Sequence, residues 1–187
     1  MKKSVYFIIA ITISALLIIT LCICNNIFSK NIKKTKEIKL STINSNDNKF
    51  KISIPSDVKY SINKDKDNYN INIYCTDLQM FIYGSTLENS TAKPLIDIVD
   101  LDQADFIAKK ENVQIIHNTS ELKINNYNAY TYCFTYTDPD YANDFFSQVV
   151  WIKNNNLFYI LNIEIALENY ENNKDLINSI INSFAEI

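Results

Sequence analysis

The chain has 187 residues, enough for one domain of ordinary size together with an N-terminal segment. All 18 basic residues are Lys and there is one Gly, which excludes guanidinium forks for phosphate and glycine-rich nucleotide-binding loops. Residues 1–39 carry seven Lys against Glu37, a net +6, whereas residues 40–187 carry 11 Lys against 20 acidic residues, a net −9. An acidic domain does not attract phosphate backbones, so we expect no nucleic acid and no nucleotide as partner.

Residues 5–24 form an uncharged apolar run, from Val5 to Cys24, that predicts a transmembrane helix. At 1.5 Å per residue this run spans about 30 Å, the thickness of a bilayer core. A cleavable signal peptide has a shorter apolar region and a small-residue cleavage site, so an uncleaved anchor is favoured. Cys22 and Cys24 keep a lipidated cysteine open, although Leu21 and Ile23 stand where a lipobox has a small residue.

The anchor sets the expected topology and localisation of the chain. We expect residues 1–4 to be a short cytoplasmic N-terminus, with a single pass through the cell membrane and an extracytoplasmic C-terminal domain. The count of Lys on the two sides of the helix supports the opposite orientation by the positive-inside rule, which stays open as the alternative. The bilayer is the predicted partner of residues 5–24.

Residues 25–47 are polar and rich in Lys and Asn, and we interpret them as a tether between the membrane and a domain of residues 48–187. The domain begins with an alternating strand in which Phe50, Ile52 and Ile54 face inward before Pro55 ends it. Residues 69–75 and 79–85 alternate in the same way and predict an antiparallel pair.

A helical segment follows, with Thr91 as a possible N-cap and Pro94 in the first turn. Asp102 interrupts its apolar stripe, which predicts a second short helix over residues 103–111 capped by Asp102. Residues 112–124 read as one strand or a hairpin. Residues 129–137, 145–153 and 157–167 are three further strands, and an amphipathic helix runs from about Asn172. The fold class is therefore α+β, an antiparallel sheet of about six to seven strands flanked by helices.

Candidates for catalysis are few. His117 is the only histidine and lies in a strand-like run, and a chain with one Gly has no G-x-S-x-G motif. Cys75 and Cys133 are expected to be buried and unpaired, with a disulfide between them left open. We predict no enzyme, no catalytic residues and no cofactor.

Acidic residues gather around Pro139, where Asp138, Asp140 and Asp144 suggest calcium. The spacing does not fit an EF-hand, so a polar hairpin loop and no metal site are predicted. These acids are also the candidates for an alternative function, a cell-envelope hydrolase. A second acidic group on the helix is interpreted as a solvated face: Asp97, Asp100, Asp102 and Asp105.

Aromatic residues are frequent in the C-terminal half and include Tyr127, Tyr130, Tyr132, Tyr136, Tyr141 and Trp151. A carbohydrate or peptide platform is one interpretation. Alternating aromatic residues on strands are first of all packing groups, so core and cross-strand pairing is the favoured prediction.

The order of elements, with F-K-I-S-I-P at the start and I-I-N-S-F at the end, resembles the PsbP-like family, including its bacterial membrane-anchored or lipoprotein-type members. The residues that carry the resemblance are Phe50, Ile52, Ile54, Pro55, the Tyr130–Tyr136 and Leu157–Ile165 strands, Ile180, Ile181, Ser183 and Phe184. It covers about residues 48–187 and implies an α/β/α sandwich without shared catalytic residues. We therefore expect a membrane-anchored, surface-displayed, non-enzymatic binding or accessory domain for an unknown protein or envelope partner.

Overall fold

The computed structural model describes residues 39–63, 69–90 and 93–187, and these form ten strands and two α-helices. In chain order they are β1 (Leu40–Asn44), β2 (Phe50–Pro55), β3 (Ser61–Ile62), β4 (Ile71–Cys75), β5 (Met80–Glu88), α1 (Leu95–Ala108), β6 (Glu111–Ile124), β7 (Tyr127–Asp138), β8 (Asn143–Asn154), β9 (Leu157–Ala166), α2 (Leu167–Asn182) and β10 (Ala185–Glu186). A single 3-10 turn, Thr76–Leu78, joins β4 to β5.

Two sheets organise these elements. The larger has seven strands in the order β3-β4-β5-β9-β8-β7-β6, and the smaller has the order β1-β2-β10. All pairings are antiparallel. The β6–β7 and β8–β9 hairpins turn through Asn125 and Asn155, whose φ angles of 52° and 49° are left-handed and tolerated by Asn.

The main core lies between the large sheet on one side and α2 with the small sheet on the other. Alternation places every second residue of β9 in this core, as the sequence predicts: Tyr159, Leu161, Ile163 and Ile165. Ile177, Ile180 and Ile181 supply the apolar stripe of α2. The opposite face of the sheet carries a second core cluster beneath α1.

The motifs at the two ends of the domain meet in the main core. Phe50 and Phe184 are fully buried, with ring centroids 5.9 Å apart. The backbone N–H of Ser53 donates to the Ser183 hydroxyl at 2.7 Å. Gly84 lies behind them, where a Cβ atom would approach the Phe50 ring to 2.8 Å. These contacts give the two sequence motifs a common packing role.

The structure confirms an α+β fold with an antiparallel sheet of seven strands flanked by helices. It differs from prediction at three places, the start of the domain, helix α1 and the start of helix α2. Residues 40–44, in the predicted tether of residues 25–47, form β1 because they pair along β2. Helix α1 is continuous through Asp102, and α2 begins at Leu167 rather than near Asn172. Of the two alternatives for residues 112–124, the structure has the single strand β6.

The predicted anchor at residues 5–24 lies outside the described residues, as do residues 25–38 of the predicted tether and the Thr91 cap. In residues 39–63, 69–90 and 93–187, no helix has the length and apolar character needed to cross a membrane.

Candidate functional site: the open half of the sheet

Helix α1 covers only part of the sheet face on which it packs. Leu95 and Val99 of α1 belong to the same buried cluster as Tyr132, Phe134 and Trp151 of β7 and β8. The contacts of α1 fall mainly on β6 and β7. We call this region the covered half, and the region formed by β4, β5 and the adjoining face of β9 the open half.

Strand register places aromatic and polar side chains side by side across the open half. Tyr74 pairs with Phe81, and Phe81 pairs with Glu164. In the neighbouring row, Tyr83 stands between Asn72 and Asn162. Because residues two apart on a strand share a face, both rows point away from the main core.

The aromatic rings of the open half form one connected group. Phe81 lies 4.7 Å from Tyr74, 6.1 Å from Tyr83 and 5.5 Å from Tyr141, measured between ring centroids. Tyr69 extends the group, with its ring centroid 4.7 Å from that of Tyr83 and the two planes tilted by 35°. Tyr74, Phe81, Tyr83 and Tyr141 line a cavity of about 470 Å³, a size typical of small-ligand sites.

Asn72 is the least satisfied polar group in this cavity wall. Its residue surface is 6% exposed, and among the described residues no hydrogen-bond partner is found for its Nδ2. Buried amide groups in native proteins are nearly always hydrogen-bonded, and leaving one unpaired costs about 1–3 kcal/mol. The Asn72 amide nitrogen is therefore a buried, unsatisfied donor in a residue that lines the cavity.

A buried polar row separates the open half from the covered half. The Ser147 hydroxyl donates to Asn162 at 3.0 Å, and the Asn162 amide donates to Glu164 at 3.2 Å. Lys110, just beyond the end of α1, places its Nζ 3.9 Å from Glu164 and 4.0 Å from the ring centroid of Tyr136. We call Ser147, Asn162 and Glu164 the polar row.

Burial raises the pKa of Glu164, and Lys110 together with the hydrogen bonds from Asn162 and Tyr136 opposes that rise. The charge of Glu164 in turn adds to the effect of burial in raising the pKa of Tyr83. The open half therefore lies beside the carboxylate of Glu164, whose negative charge is partly compensated by Lys110.

The covered half has a polar group of its own, and that group is fully paired. Asp102 Oδ2 accepts hydrogen bonds from the Tyr132 hydroxyl and from Trp151 Nε1, each at 2.8 Å. This explains why α1 continues through Asp102: the carboxylate binds buried donors of the sheet instead of capping a new helix. The predicted solvated acidic face therefore does not include Asp102.

The predicted hydrolase residues lie in the β7–β8 hairpin, where their carboxylates make turn contacts. Asp138 Oδ1 accepts the backbone N–H of Asp140 at 2.9 Å, and Asp144 accepts the Thr137 hydroxyl at 2.8 Å. Within the described part of the chain, no group of three or more His, Cys, Asp or Glu residues could hold a metal ion. The hairpin interpretation of this loop agrees with the contacts observed.

The other predicted candidates fall into structural positions. Cys75 and Cys133 are buried free thiols, as expected, and burial raises the pKa of each to about 11. His117 is exposed on β6, at the edge of the sheet. Neither cysteine has the lowered pKa of a nucleophile.

The aromatic residues singled out in the sequence divide as the packing interpretation predicts. Tyr132, Tyr136 and Trp151 are buried in the cluster beneath α1. Tyr141 is the exception, because it is 55% exposed and contributes to the open half.

A larger cavity of about 600 Å³ lies near the turns of the β6–β7 and β8–β9 hairpins. Four of its polar side chains are paired with one another: Lys123 donates to Asn128, and the Tyr130 hydroxyl donates to Glu121. A fifth, Lys153, has its Nζ 6.0 Å from the ring centroid of Phe158.

The residues that sequence reasoning missed are Asn72, Tyr74, Phe81, Tyr83 and Glu164. One signal was available in β5. Met80, Phe81, Ile82 and Tyr83 place apolar or aromatic side chains on both faces of the strand. A strand exposed on one face alternates, so this run indicates two faces that both avoid water.

The layered arrangement defines an α+β domain with a PsbP-like fold. Comparison of the sequence with protein-family models finds no match, nor does comparison with curated proteins. The structure is similar to cyanobacterial PsbP (CyanoP) from Synechocystis sp. PCC 6803, with a TM-score of 0.56 and 12% identity over 84% of this chain and 98% of that one.

Two further solved structures are similar. LpqN of Mycobacterium tuberculosis, described as involved in cell envelope biogenesis, has a TM-score of 0.55 and 10% identity over 81% of this chain and 92% of its own. The Ran-binding protein Mog1p of Saccharomyces cerevisiae has a TM-score of 0.54 and 11% identity over 80% and 96%. At these identities the likeness concerns the fold alone, and it agrees with the resemblance found in the motifs.

Proposed function

We propose that the chain is a membrane-anchored, surface-displayed, non-enzymatic domain that binds a partner through the open half of its sheet. The observation that carries this proposal is the cavity walled by Tyr74, Phe81, Tyr83 and Tyr141, with the unpaired donor of Asn72 in its lining. Aromatic groups with a few fixed polar groups are typical of binding surfaces.

The similar structures support a binding role, although not a shared partner. Mog1p is described as a Ran-binding protein, and LpqN as involved in cell envelope biogenesis. The apolar run of residues 5–24 and the Lys-rich tether support membrane attachment, in which the Lys side chains contact anionic lipid.

A pull-down with the full-length chain in intact membranes tests the binding role. We expect a partner to be recovered with the native chain and lost when Tyr74 and Tyr141 are both changed to Ala, since two walls of the cavity are then removed. Tyr130→Ala is the matched control, because Tyr130 lies at the other cavity and hydrogen-bonds Glu121. Equal recovery with the double variant would contradict a partner site in the open half.

Protease treatment of intact cells tests the surface display. We expect the protease to cut the tether before Lys39 and to release a resistant domain, because proteases cut exposed polar segments far more readily than a folded core. Protection until the membrane is broken would instead support the cytoplasmic orientation.

The hydrolase alternative has one observation in its favour. Glu164 is buried with a raised pKa, and the charge of Asp138 contributes to that rise. Acid catalysis needs such a carboxyl group to be free for substrate, however, and Glu164 is already engaged by Asn162, Tyr136 and Lys110. Hydrolysis of envelope material that is abolished by Glu164→Gln would favour the enzyme.

A further inference from the structure

One carboxylate oxygen of the polar row has both an amine and an amide beside it. Lys110 Nζ lies 3.9 Å from Glu164 Oε1, and Asn162 Nδ2 donates a hydrogen bond to the same oxygen atom at 3.2 Å. Asn162 and Glu164 are two positions apart on β9, so their side chains share one face of the sheet. An amine, a carboxamide and a carboxyl group are the components needed to join two side chains through an amide bond.

The surroundings of these three groups exclude most of the water. Asn162 and Glu164 are buried, and the Lys110 side chain is 25% exposed. Lys110 Nζ lies 4.0 Å from the ring centroid of Tyr136 and 5.5 Å from that of Phe106. Such surroundings penalise both ions, and so favour transfer of a proton from the Lys110 ammonium to the Glu164 carboxylate. The neutral amine that results is a nucleophile, which an ammonium group is not.

Burial is the largest influence on the pKa of Glu164, and it raises that pKa, whereas Lys110 and the hydrogen bonds from Asn162 and Tyr136 lower it. A carboxyl group with a raised pKa can both take a proton from an amine and return one to a leaving group. Glu164 therefore combines the position and the acidity of a proton-transfer group.

The Asn162 carboxamide is held at both of its polar atoms. The buried Ser147 hydroxyl donates to Asn162 Oδ1 at 3.0 Å, and Glu164 accepts from Nδ2. A donor on the carbonyl oxygen stabilises the negative charge that develops there when a nucleophile adds to the carbonyl carbon. The nitrogen that would leave as ammonia already lies on the oxygen that can protonate it.

We propose that Lys110 and Asn162 form an isopeptide bond within the chain, with Glu164 transferring the protons and Ser147 donating to the carbonyl oxygen. Lys110 Nζ gives one proton to Glu164 and adds to Asn162 Cγ, so that an N–C bond forms and the C=O electron pair moves to Oδ1. The pair then returns, the Cγ–Nδ2 bond breaks, and Nδ2 leaves as ammonia with the proton held by Glu164. Glu164 takes a second proton from Nζ and ends protonated.

The position of Lys110 permits the movement that this reaction requires. Nζ must move from the ring of Tyr136 towards Asn162 Cγ. The lysine stem is flexible, and Lys110 lies in the connection between α1 and β6, outside both elements. The bond would join this connection to β9, the central strand of the large sheet, and would close a loop that contains β6, β7 and β8. This inference goes beyond the proposed function and does not depend on it.

Peptide mapping of the folded full-length chain by mass spectrometry tests the inference. We expect a branched peptide that joins the segment containing Lys110 to the segment containing Asn162, lighter than the two separate peptides together by about 17 Da, the mass of one ammonia. Recovery of the two segments only as separate, unmodified peptides would overturn the inference. So would an ammonia loss that maps to a cyclic imide at any Asn instead of to a branched peptide.

Three variants locate the reacting groups, with circular dichroism as the check that each chain is folded. Lys110→Arg keeps a cation beside Glu164 but removes the amine, so the branched peptide should be absent. Glu164→Gln keeps the shape of the side chain and should slow formation of the branched peptide by at least about 100-fold, the lower end of the range for proton-transfer catalysis.

Lys109→Arg is the matched control. Lys109 is the neighbouring lysine and pairs with the exposed Asp105 on the surface of α1, so this variant should form the branched peptide as completely as the native chain. Loss of the link in Lys109→Arg, or an undiminished rate in folded Glu164→Gln, would contradict the assigned roles and overturn the proposal.

Discussion

The covered and open halves of one sheet face are built from the same kinds of residue, yet they differ in how their polar groups are paired. In the covered half, Asp102 accepts hydrogen bonds from Tyr132 and Trp151. In the open half, the buried amide of Asn72 lacks a partner among the described residues. Aromatic content therefore does not distinguish the two halves, whereas the pairing of their buried polar groups does.

Removing Asp102 should give the largest effect on stability. Asp102→Ala leaves the Tyr132 hydroxyl and Trp151 Nε1 unpaired beneath α1, so we expect a loss of about 2–4 kcal/mol in the free energy of unfolding, measured with urea. Asp100→Ala is the matched control, because Asp100 is exposed on the same helix and should change stability by less than about 0.5 kcal/mol. Equal effects would show that the covered half does not depend on this pairing.

Gly84→Ala tests how tightly the main core is packed behind the open half, on the other face of β5. The new Cβ would lie 2.8 Å from Phe50 Cζ and 3.1 Å from Ile71 Cβ, so overpacking should cost about 1–3 kcal/mol. In the double variant with Phe50→Leu, the two losses should add to less than their sum, because the smaller side chain makes room. Strict additivity would mean that the main core behind β5 is loosely packed.

Asn72→Leu should act in the opposite direction. Removal of an unpaired buried donor is expected to raise the free energy of unfolding by about 1 kcal/mol in the absence of ligand. The control is Asn162→Leu, which breaks hydrogen bonds with Ser147 and Glu164 and should destabilise the domain. A clear loss of stability in Asn72→Leu would place Asn72 with the satisfied polar groups and remove the contrast between the halves.

The smallest expected effect concerns pH. Burial raises the pKa of Glu164 above its ordinary value of 4.5, so protonation of its carboxylate stabilises the folded state. This contribution is complete below pH about 4.5 and is lost as the pH rises through the raised pKa. As the pH rises over that range, the native chain should therefore lose stability relative to Glu164→Gln. Urea unfolding of both chains at a series of pH values measures this difference. A pH-independent difference would show that Lys110 fully compensates the carboxylate.

The strands in which apolar residues alternate regularly could be predicted from the sequence. Residues Phe50, Ile52 and Ile54 alternate cleanly, and the strands of the C-terminal half do the same, so their existence and type could be predicted from period 2. The motifs at the two ends of the domain also indicated the correct fold, because they pack against each other.

The elements that sequence missed depend on distant partners. Strand β1 has a polar sequence, LSTIN, and forms through pairing with β2. Asp102 looked like a helix cap because its acceptor role involves Trp151, 49 positions away. The candidate site was missed for the same reason: Asn72, Tyr83 and Asn162 become neighbours only through strand register.

The pairing of β2 with β10 has a consequence for how the domain folds. Lys51 pairs with Ala185, and the N–H of Ile187 donates to the Lys49 carbonyl, so contacts near the start of the domain are completed by residues more than 130 positions later. Loop closure over such separations is slow, and sheets dominated by distant pairings fold in milliseconds to seconds. Until residues 184–187 have been synthesised, Phe50 lacks the aromatic partner that Phe184 supplies. The β2–β10 pairing and the contact between Phe50 and Phe184 can therefore form only after the last residues of the domain have been synthesised.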